Sequence, residues 1–220
     1  MMLPPQILLG DCRDLMRTLA PNSVDAVITD PPYGVNYQPD PKFKRIANDE
    51  RPYVWWLPDA YRVLKDGGAL LCFCPWRTSE PFRLAIEWAG FKIRSQIVWD
   101  REWHGQGDLT ASFGPRHDLI WFATKGKFAF PNKRPVSVIR SKRISAGALV
   151  HPTEKPIDLM QQLVEAVTPT GGVVLDPFAG SGATLHAARE AGRHSIGIEL
   201  DPDYVTLIEK RLALQDKRAA

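Results

Sequence analysis

The stretch GGVVLDPFAGSGATLHAAREAGRHSIGIELD, residues 171–201, decides the fold, because it predicts a strand, a glycine-rich turn, a helix and a second strand. Gly180 and Gly182 have no side chains, so a ligand can approach the backbone of the turn. The helix begins with free N–H groups that favour a negatively charged group. Glu199 ends the second strand, roughly 20 residues after the turn, where a carboxylate can accept hydrogen bonds from ribose hydroxyls. This unit predicts a cofactor that contains a nucleoside.

The turn does not complete the dinucleotide fingerprint, because Ala183 and Thr184 follow it where a third glycine is required. An NAD-dependent enzyme is therefore the poorer interpretation. Asp176 ends the first strand, ahead of Pro177 and Phe178, and its carboxylate can meet a cationic or amino-bearing ligand there. A pyrophosphate does not present such a group. A tight turn between packed elements also requires glycine, so the turn alone is a weak signal.

Apolar runs rich in β-branched residues alternate with helical patterns along the rest of the chain. This alternation predicts one α/β domain over residues 1–220, with a largely parallel sheet and helices on both faces. The predicted strands are residues 7–10, 24–30, 68–74, 92–100, 118–125, 171–176 and 194–200. The predicted helices are residues 52–65, 79–90, 155–168, 182–192 and 202–212.

The chain has 220 residues, of which 44% are hydrophobic and 24% charged, a balance typical of globular proteins. Its first ten residues lack the basic start of a signal peptide, and no apolar run approaches the ~20 residues of a membrane helix. We therefore expect a cytoplasmic protein that does not enter a membrane. Cys72 and Cys74 lie in an apolar run, which favours reduced thiols in a core strand. The ligand spacing of a metal site is absent, so no metal is expected.

The net charge is only +3, but the interval from Leu119 to Thr153 contains no Asp or Glu. A polyanionic partner and a solvated surface loop both fit this interval. Two segments, residues 34–51 and 126–150, resist assignment to regular structure, and long irregular segments in a compact domain tend to be functional or mobile. We interpret residues 126–150 as a short basic insertion. Its candidate DNA-binding residues are Lys133, Arg134, Arg140, Lys142 and Arg143.

A second motif, DPPY at residues 30–33, follows an apolar strand. An exocyclic amine on a nucleobase is a poor nucleophile, because its lone pair is delocalised into the ring. Asp30 can accept one N–H and the Pro31 carbonyl the other, which pushes the nitrogen towards tetrahedral geometry. Pro31 and Pro32 stiffen the turn, and Tyr33 offers a flat face on which an extruded base can stack. For DPPY alone, the alternative is a turn that merely ends a strand, with Tyr33 packed underneath.

Together, DPPY and DPFAGSG resemble motifs of the S-adenosylmethionine-dependent DNA amino-methyltransferases, which modify adenine N6 or cytosine N4. The order of the motifs is similar to that of the β group of this family. The resemblance implies a seven-stranded, mostly parallel Rossmann-like methyltransferase sheet whose reversed strand is DLIWFATK, residues 118–125. It also implies that S-adenosylmethionine is the cofactor and S-adenosylhomocysteine the product. Asp at the head of the tetrapeptide is typical of adenine-N6 enzymes, and Ser of cytosine-N4 enzymes.

The resemblance also assigns residues to the site. It makes Asp30, Pro31, Pro32 and Tyr33 the catalytic residues. GDCRDL, with Asp11, resembles the element that contacts the adenine of the cofactor, and HPTEKP, residues 151–156, resembles a segment that lines its pocket. Lys155 can pair with the cofactor carboxylate, with a helix carbonyl or with solvent. The full set of cofactor-binding residues that we predict is Asp11, Cys12, Asp30, His151, Lys155, Asp176, Phe178, Ala179, Gly180, Ser181, Gly182, Thr184, Glu199 and Leu200.

The expected reaction is methylation of adenine N6 in double-stranded DNA, after the base has been flipped out of the helix. Because the basic insertion is short, it is expected to grip phosphates, and low sequence discrimination or a short target read by a homodimer would follow. The alternatives are a cytosine-N4 enzyme, an RNA adenine methyltransferase, a protein-amide methyltransferase and a catalytically silent nucleic-acid-binding domain. Whether a restriction enzyme accompanies the activity is left open by the sequence.

Overall fold

The computed structural model of this protein describes residues 4–104 and 109–219, with side chains described as far as residue 213. The strands are β1 Gln6–Leu9, β2 Val24–Thr29, β3 Leu64–Cys74, β4 Lys92–Asp100, β5 His117–Thr124, β6 Val138–Arg140, β7 Val173–Asp176 and β8 His194–Glu199. The helices are α1 Cys12–Thr18, α2 Leu57–Val63, α3 Ser79–Trp88, α4 Ile157–Val167, α5 Ala183–Glu190 and α6 Pro202–Ala219.

All of these strands belong to one sheet, in the order β1-β8-β7-β2-β3-β5-β4-β6. Strand β5 runs antiparallel to both of its neighbours, β3 and β4, while every other neighbouring pair is parallel. The prediction that DLIWFATK is the reversed strand of a mostly parallel sheet is therefore confirmed. In the described residues the sheet has eight strands, one more than predicted. The additional strand is β6, which lies within the basic insertion of residues 126–150 and pairs with β4.

Several elements differ from the prediction. Strand β3 begins at Leu64, inside the predicted helix of residues 52–65 and before the predicted strand start at residue 68, because Leu64 already pairs with Val24 of β2. The short helix α1 was not predicted, although Asp11 marks its start by accepting a hydrogen bond from the Arg13 N–H at 2.9 Å. Helix α2 begins at Leu57 rather than at residue 52, with Pro58 in its first turn, where proline is tolerated. Strand β6 has only three residues, too few for an alternating pattern to appear in the sequence.

Two layers of helices cover the sheet, and the alternation of side chains along β2 divides the core between them. Val27 packs with residues of α1, α2 and α3, whereas Ala26 and Ile28 pack with residues of α4 and α5. Both clusters consist of almost fully buried side chains, so both faces of the sheet are sealed from water. The predicted helices on both faces are therefore confirmed.

The arrangement of the helices leaves a crevice at the edge of the sheet where the carboxyl ends of β2 and β7 lie. Strands β2 and β7 are neighbours, but the helix after β2 lies on one face and the helix after β7 on the other. Their connections therefore diverge, and the carboxyl ends of the two strands border a crevice of the kind in which α/β proteins bind ligands. Asp30 follows β2 and Asp176 ends β7, so both predicted motifs open onto this crevice.

Within the described residues, no helix has the length and hydropathy needed to cross a bilayer. The same part of the chain contains no cluster of His, Cys, Asp and Glu side chains able to hold a metal ion. The three cysteines, Cys12, Cys72 and Cys74, are buried free thiols.

Candidate active site

The glycine turn between β7 and α5 contains two glycines that are required for different reasons. Both have positive φ angles, +51° at Gly180 and +77° at Gly182, which favour glycine over residues with a side chain. A Cβ on Gly180 would lie 3.3 Å from the ring of His151, at the border of the crevice. A Cβ on Gly182 would lie 2.9 Å from Ile208 of α6, away from the crevice. Gly180 therefore keeps the ligand side open, and Gly182 permits helix packing.

Glu199, at the end of β8, is held by the backbone of the turns around it. Its carboxylate accepts hydrogen bonds from the Gly180 N–H at 2.8 Å and from the Asp201 N–H at 2.9 Å. Burial raises the pKa of Glu199 above its usual value, although these backbone donors oppose the shift. The carboxylate thus fixes the glycine turn against the last helix, and its remaining acceptor sites are available to a ligand in the crevice.

Asp176 is a buried junction between three elements. It accepts hydrogen bonds from the Thr29 hydroxyl of β2 at 2.7 Å, the Thr184 hydroxyl of α5 at 2.5 Å and the Phe178 N–H at 3.1 Å. Burial raises the pKa of Asp176 to about 6, although the three hydrogen bonds favour the ionised carboxylate and so oppose the shift. Asp176 therefore joins the strand that precedes Asp30 to the glycine turn, a positioning role that the sequence did not indicate.

The Asp30 carboxylate has partners on both oxygens. The Tyr33 hydroxyl donates to Oδ1, and the Lys155 ammonium group forms an ion pair with Oδ2. Lys155 also donates to the Thr153 carbonyl at 3.2 Å, and its ammonium group lies 5.1 Å from the centre of the Phe73 ring. Each carboxylate oxygen has two acceptor sites, so each retains one for a further donor. The Asp30 carboxylate is therefore a partner of Lys155 that the sequence analysis did not include.

Tyr33 is only partly available as a stacking surface. Its ring packs edge-on against Phe82 of α3, with ring centres 6.5 Å apart, and touches both halves of the core. Burial and the neighbouring Asp30 raise the pKa of Tyr33 well above its usual value, so the hydroxyl stays protonated and donates. The ring combines the two expectations for DPPY: it packs in part beneath the turn, and it lines the crevice.

The segment before α4 clamps the glycine turn from the opposite side. The rings of His151 and Tyr204 of α6 lie 4.4 Å apart, and Glu154 forms an ion pair with Arg211 of α6. Arg211 also donates to the Ser181 hydroxyl at 3.3 Å. Burial, together with the charges of neighbouring Lys155 and Arg211, lowers the pKa of His151 to about 4, so this imidazole is neutral at pH 7.

Asp11, predicted to contact the cofactor, lies between β1 and α1. Besides capping α1, its carboxylate forms a salt bridge with the Arg13 side chain at 2.8 Å, and this partner lowers the pKa of Asp11. Cys12 is buried beside it, and burial raises the pKa of its thiol to about 12. Cys12 therefore contributes an apolar wall rather than a reactive thiolate.

The predicted residues line one cavity of about 720 Å³ and a small annex of about 40 Å³. The large cavity is lined by Asp11, Cys12, Asp30, Pro31, Pro32, Tyr33, His151, Lys155, Phe178, Gly180, Glu199 and Leu200. The annex, which shares Asp30, His151, Lys155, Phe178 and Gly180 with it, is also lined by Asp176, Ala179, Ser181 and Thr184. Of the residues predicted for catalysis and cofactor binding, Gly182 lines neither. The two motifs, far apart in sequence, thus meet in one site.

A loop that follows the DPPY turn also lines this cavity, and its anchors were missed in the sequence. Asp49 is buried and accepts hydrogen bonds from the Gly34 N–H at 2.8 Å and the Tyr37 N–H at 2.7 Å. Lys44 forms salt bridges of 2.7 Å with Asp201 and Asp203 at the start of α6. Residues 34–51 were predicted to be irregular and either functional or mobile, and these contacts show how the segment is anchored across the crevice.

The predicted DNA-binding residues fall into two groups. Arg140 ends β6, and Lys142 and Arg143 follow it, so these three lie at the edge that carries Asp30. Arg143 lines the large cavity. Lys133 and Arg134 precede β6, next to Asn132, which donates to the Glu165 carbonyl in the last turn of α4. That turn leads into the start of β7, at the other edge of the sheet, so the structure does not bring the five residues together.

The sequence model of a family described as DNA methylase matches residues 24–143 and 132–210 of this chain. The chain belongs to this family. DNA methylases of this family are amino-methyltransferases that use S-adenosylmethionine and modify adenine N6 or cytosine N4, so the protein is an S-adenosylmethionine-dependent DNA amino-methyltransferase. The predicted family and cofactor are thus confirmed, whereas the base that is modified stays a prediction.

Several relatives of this DNA methylase are similar along most of their length. The protein YubD of Escherichia coli (strain K12) is 38% identical over 207 residues, which are 93% of this chain and 88% of YubD. The type II methyltransferase M.HpaI of Haemophilus parainfluenzae is 30% identical over 227 residues, 90% of this chain and 70% of M.HpaI.

Solved structures of DNA methyltransferases share the fold of this methylase. The complex of M1.HpyAVI with S-adenosylmethionine superimposes with a TM-score of 0.73 at 25% identity, covering 94% of this chain and 98% of M1.HpyAVI. The PvuII DNA methyltransferase, described as cytosine-N4-specific, reaches a TM-score of 0.78 at 17% identity, covering 96% of this chain and 86% of the PvuII protein. The second likeness concerns the fold alone.

The residues of the large cavity fit the cofactor of this methylase family. A volume of about 720 Å³ suits a small-molecule ligand. The Gly180 backbone borders the cavity without a side chain, and the carboxylates of Asp11 and Glu199 are acceptors for amine and hydroxyl groups. Phe178 and Leu200 add apolar surface to the same wall. This combination of a glycine turn, carboxylate acceptors and apolar side chains matches a ligand that carries a nucleoside and an amino acid.

Proposed function

We propose that this methylase transfers a methyl group to the N6 amine of adenine in double-stranded DNA, after the adenine has been flipped out of the helix. The observation that carries the proposal is that the Asp30 turn and the Gly180 turn line the same cavity. S-adenosylmethionine supplies an electrophilic methyl group on a sulfonium. A glycine turn that binds it and a carboxylate that receives the amine are therefore needed within one ligand length of each other.

The proposed role of Asp30 is to polarise the amine. One N–H of the exocyclic amine donates to an acceptor site that remains on the Asp30 carboxylate, and the other donates to the Pro31 carbonyl. The lone pair of the nitrogen is then no longer delocalised into the ring and would attack the methyl group as its bond to the sulfur breaks. S-adenosylhomocysteine would leave, and the methylated nitrogen would release one proton to water. Lys155 and Tyr33 hold the carboxylate in position during this step, because each binds one of its oxygens.

The choice of adenine rests on the residue at the head of the tetrapeptide, which is Asp30 here. The fold similarity to a cytosine-N4 enzyme keeps cytosine N4 as the second candidate. The product distinguishes the two. Unmethylated plasmid DNA, RNA and a protein extract are each incubated with cofactor that carries a trideuterated methyl group, then digested to nucleosides or amino acids and analysed by mass spectrometry. The deuterium label separates the new product from methylation by the host.

We expect trideuteromethyl-N6-adenine in the DNA sample and no label above background in RNA or protein. Labelled N4-methylcytosine would change the assigned base while keeping the enzyme class. Label in RNA or protein alone would contradict DNA as the acceptor. Label in no acceptor would contradict the transferase activity itself and would leave the silent nucleic-acid-binding domain as the remaining alternative.

For the duplex, we propose that Arg140, Lys142 and Arg143 contact phosphates close to the flipped base. Lys133 and Arg134 were proposed with them, but they lie before β6. Each phosphate contact contributes about 0.9 to the slope of log affinity against log salt. Replacing Arg140, Lys142 and Arg143 by alanine is expected to lower this slope by about 2 to 3. The variant lacking Lys133 and Arg134 is the matched control, and equal slopes in both variants would contradict the division.

Three wider features belong to this proposal: a single domain over residues 1–220, a cytoplasmic location, and either low sequence discrimination or a short target read by a homodimer. Similarity to type II methyltransferases such as M.HpaI supports a connection with restriction–modification. Sedimentation of the protein with and without a duplex tests the homodimer, since a dimer doubles the protein mass in the free or the bound species.

A further inference from the structure

The connection between β4 and β5 carries exposed apolar side chains at the edge of the sheet that holds the active site. The connection spans residues 101–116, of which the structure describes 101–104 and 109–116. Phe113 is 99% exposed, Leu109 83% and Trp103 60%. Single exposed apolar residues are ordinary on a protein surface, but three large ones on one short connection indicate a contact surface. We call Trp103, His104, Leu109 and Phe113 the hairpin face.

The hairpin face is attached to a firmly held base. Arg116 forms a salt bridge with Asp100 at 2.8 Å, and the Arg101 N–H donates to the Arg116 carbonyl at 3.1 Å. The rings of Trp103 and His104 are stacked, with centres 5.7 Å apart and planes 4° apart. A Cβ on Gly114 would lie 3.3 Å from the Cβ of His104, so the two limbs of the connection touch. The described parts of the connection, residues 101–104 and 109–116, therefore form a structured support for the aromatic side chains, which we call the arm.

The arm stands on the same edge as Asp30. Strand β4 runs parallel to β2, because β5 is antiparallel to both β3 and β4 and β3 is parallel to β2. The end of β4 and the turn after β2 therefore lie at the same edge. Arg101, in the base of the arm, lines the large cavity together with Tyr33 and Asp30. A base that entered this cavity from a duplex would leave its neighbours in the stack beside the arm.

Basic residues that follow β6 lie along one side of the arm. The residues after β6 continue beside its base, since the Ser141 N–H donates to the Asp100 carbonyl at 3.2 Å and the Arg143 N–H to the Arg101 carbonyl at 3.4 Å. The side chains of Arg140, Lys142 and Arg143 follow this path. Asp100 balances part of the charge, because both Arg116 and Arg140 pair with it. Basic groups beside exposed rings are the combination that proteins use to bind unstacked nucleic acid.

We propose that the hairpin face contacts the DNA next to the flipped base and fills the gap that this base leaves in the stack. The inference rests on the proposed function, which requires a base to leave the duplex. Removing a base from a stack costs a few kcal/mol, and inserting an apolar side chain into the opened step offsets part of that cost. Phe113 is the best candidate for the inserted side chain, since its ring is almost completely exposed.

The test compares Phe113→Ser and Trp103→Ala with Trp88→Ala. Trp88 is 96% exposed but ends α3, which leads to the start of β4 at the opposite edge, so it is a matched control. Each hairpin variant is expected to lose about 5- to 150-fold in kcat/KM for DNA, the range for one base–aromatic contact. Affinity for S-adenosylmethionine, the thermal midpoint and the salt slope of DNA binding should remain at the wild-type values, because these side chains are exposed and uncharged.

A duplex that contains 5-iododeoxyuridine beside the target adenine provides a second measurement. Irradiation of its complex is expected to crosslink peptide 101–116, which mass spectrometry identifies. Wild-type kcat/KM in both hairpin variants, or an equal loss in Trp88→Ala, would overturn the inference while the methyltransferase activity of the wild-type protein stands. Absence of methyl transfer by the wild-type protein would instead contradict the proposed function. If the hairpin variants bound DNA normally but no longer bound a partner protein, the hairpin face would be a protein-binding surface instead.

Discussion

Replacing Lys155 by methionine is expected to destabilise the protein strongly, because the lysine is the ionic partner of the Asp30 carboxylate. The side chains of Lys155 and Asp30 are only 10% and 17% exposed. Removing one member of a buried ion pair leaves an uncompensated charge and costs about 3 to 5 kcal/mol of unfolding free energy. Methionine keeps an unbranched apolar stem of similar length, so the loss reports mainly on the missing charge rather than on a cavity.

Urea unfolding at pH 7 measures this loss, and a double-mutant cycle assigns it. The variant that combines Lys155→Met with Asp30→Asn removes both charges and should be more stable than Lys155→Met alone, by about 2 kcal/mol or more. Lys65→Met is the control, since Lys65 pairs with Asp25 at 2.8 Å near the surface, where about 1 kcal/mol or less is at stake. Equal losses in Lys155→Met and Lys65→Met would refute the reasoning. An unchanged stability with a much weaker affinity for S-adenosylmethionine would assign Lys155 to the cofactor carboxylate instead.

Two further predictions concern pH and the loop of residues 34–51. Because Asp176 has a folded pKa of about 6 against an ordinary value of 3.8, the native state holds more protons than the unfolded state between these pH values. Its contribution therefore falls by about 2 kcal/mol as pH rises from 4 to 7, so the stability of Asp176→Asn should rise by that much relative to the wild type in urea titrations across this range. A stability difference between the two proteins that does not change with pH would contradict this prediction. Lys44→Ala, which removes the salt bridges to Asp201 and Asp203, should leave the urea midpoint almost unchanged, because exposed ion pairs contribute little. It should nevertheless speed release of S-adenosylmethionine in stopped flow, because Lys44 anchors a loop that lines the cavity. A release rate equal to that of Lys65→Ala would show that this anchor does not retain the cofactor.

Much of this fold was predictable because its elements carry strong periodic patterns. The reversed strand and the two motif-bearing strands are continuous apolar runs, and the ends of parallel strands necessarily meet at one edge. That geometry brings Asp30 to the glycine turn although 150 residues of sequence separate Asp30 from Gly180. Strand β6 escaped prediction because three residues cannot show a period, and its position depends on pairing with β4 rather than on its own pattern.

The side-chain roles were less predictable than the positions. Asp176 was expected to meet the ligand, yet its three donors come from Thr29, Thr184 and the backbone of Phe178. A sequence shows that a carboxylate follows a strand but not which hydroxyls will surround it, since those arrive from other strands and helices. The same reason hid the contact of Lys155 with the Asp30 carboxylate, because the two residues meet only through the tertiary fold.

Single-turnover methyl transfer by Asp30→Ala tests the central claim most directly. The claim is that one cavity binds the cofactor with its glycine turn and activates the amine with Asp30. Because Asp30→Ala also leaves Lys155 without its ionic partner, a lower unfolding free energy is expected. Titration calorimetry of S-adenosylmethionine in the same preparation shows whether the variant is folded and binds the cofactor. The account predicts that the rate of methyl transfer from bound cofactor to DNA falls by a factor of at least about 100, within the range for loss of one polarising group, while the cofactor still binds. Transfer at the wild-type rate would contradict the account.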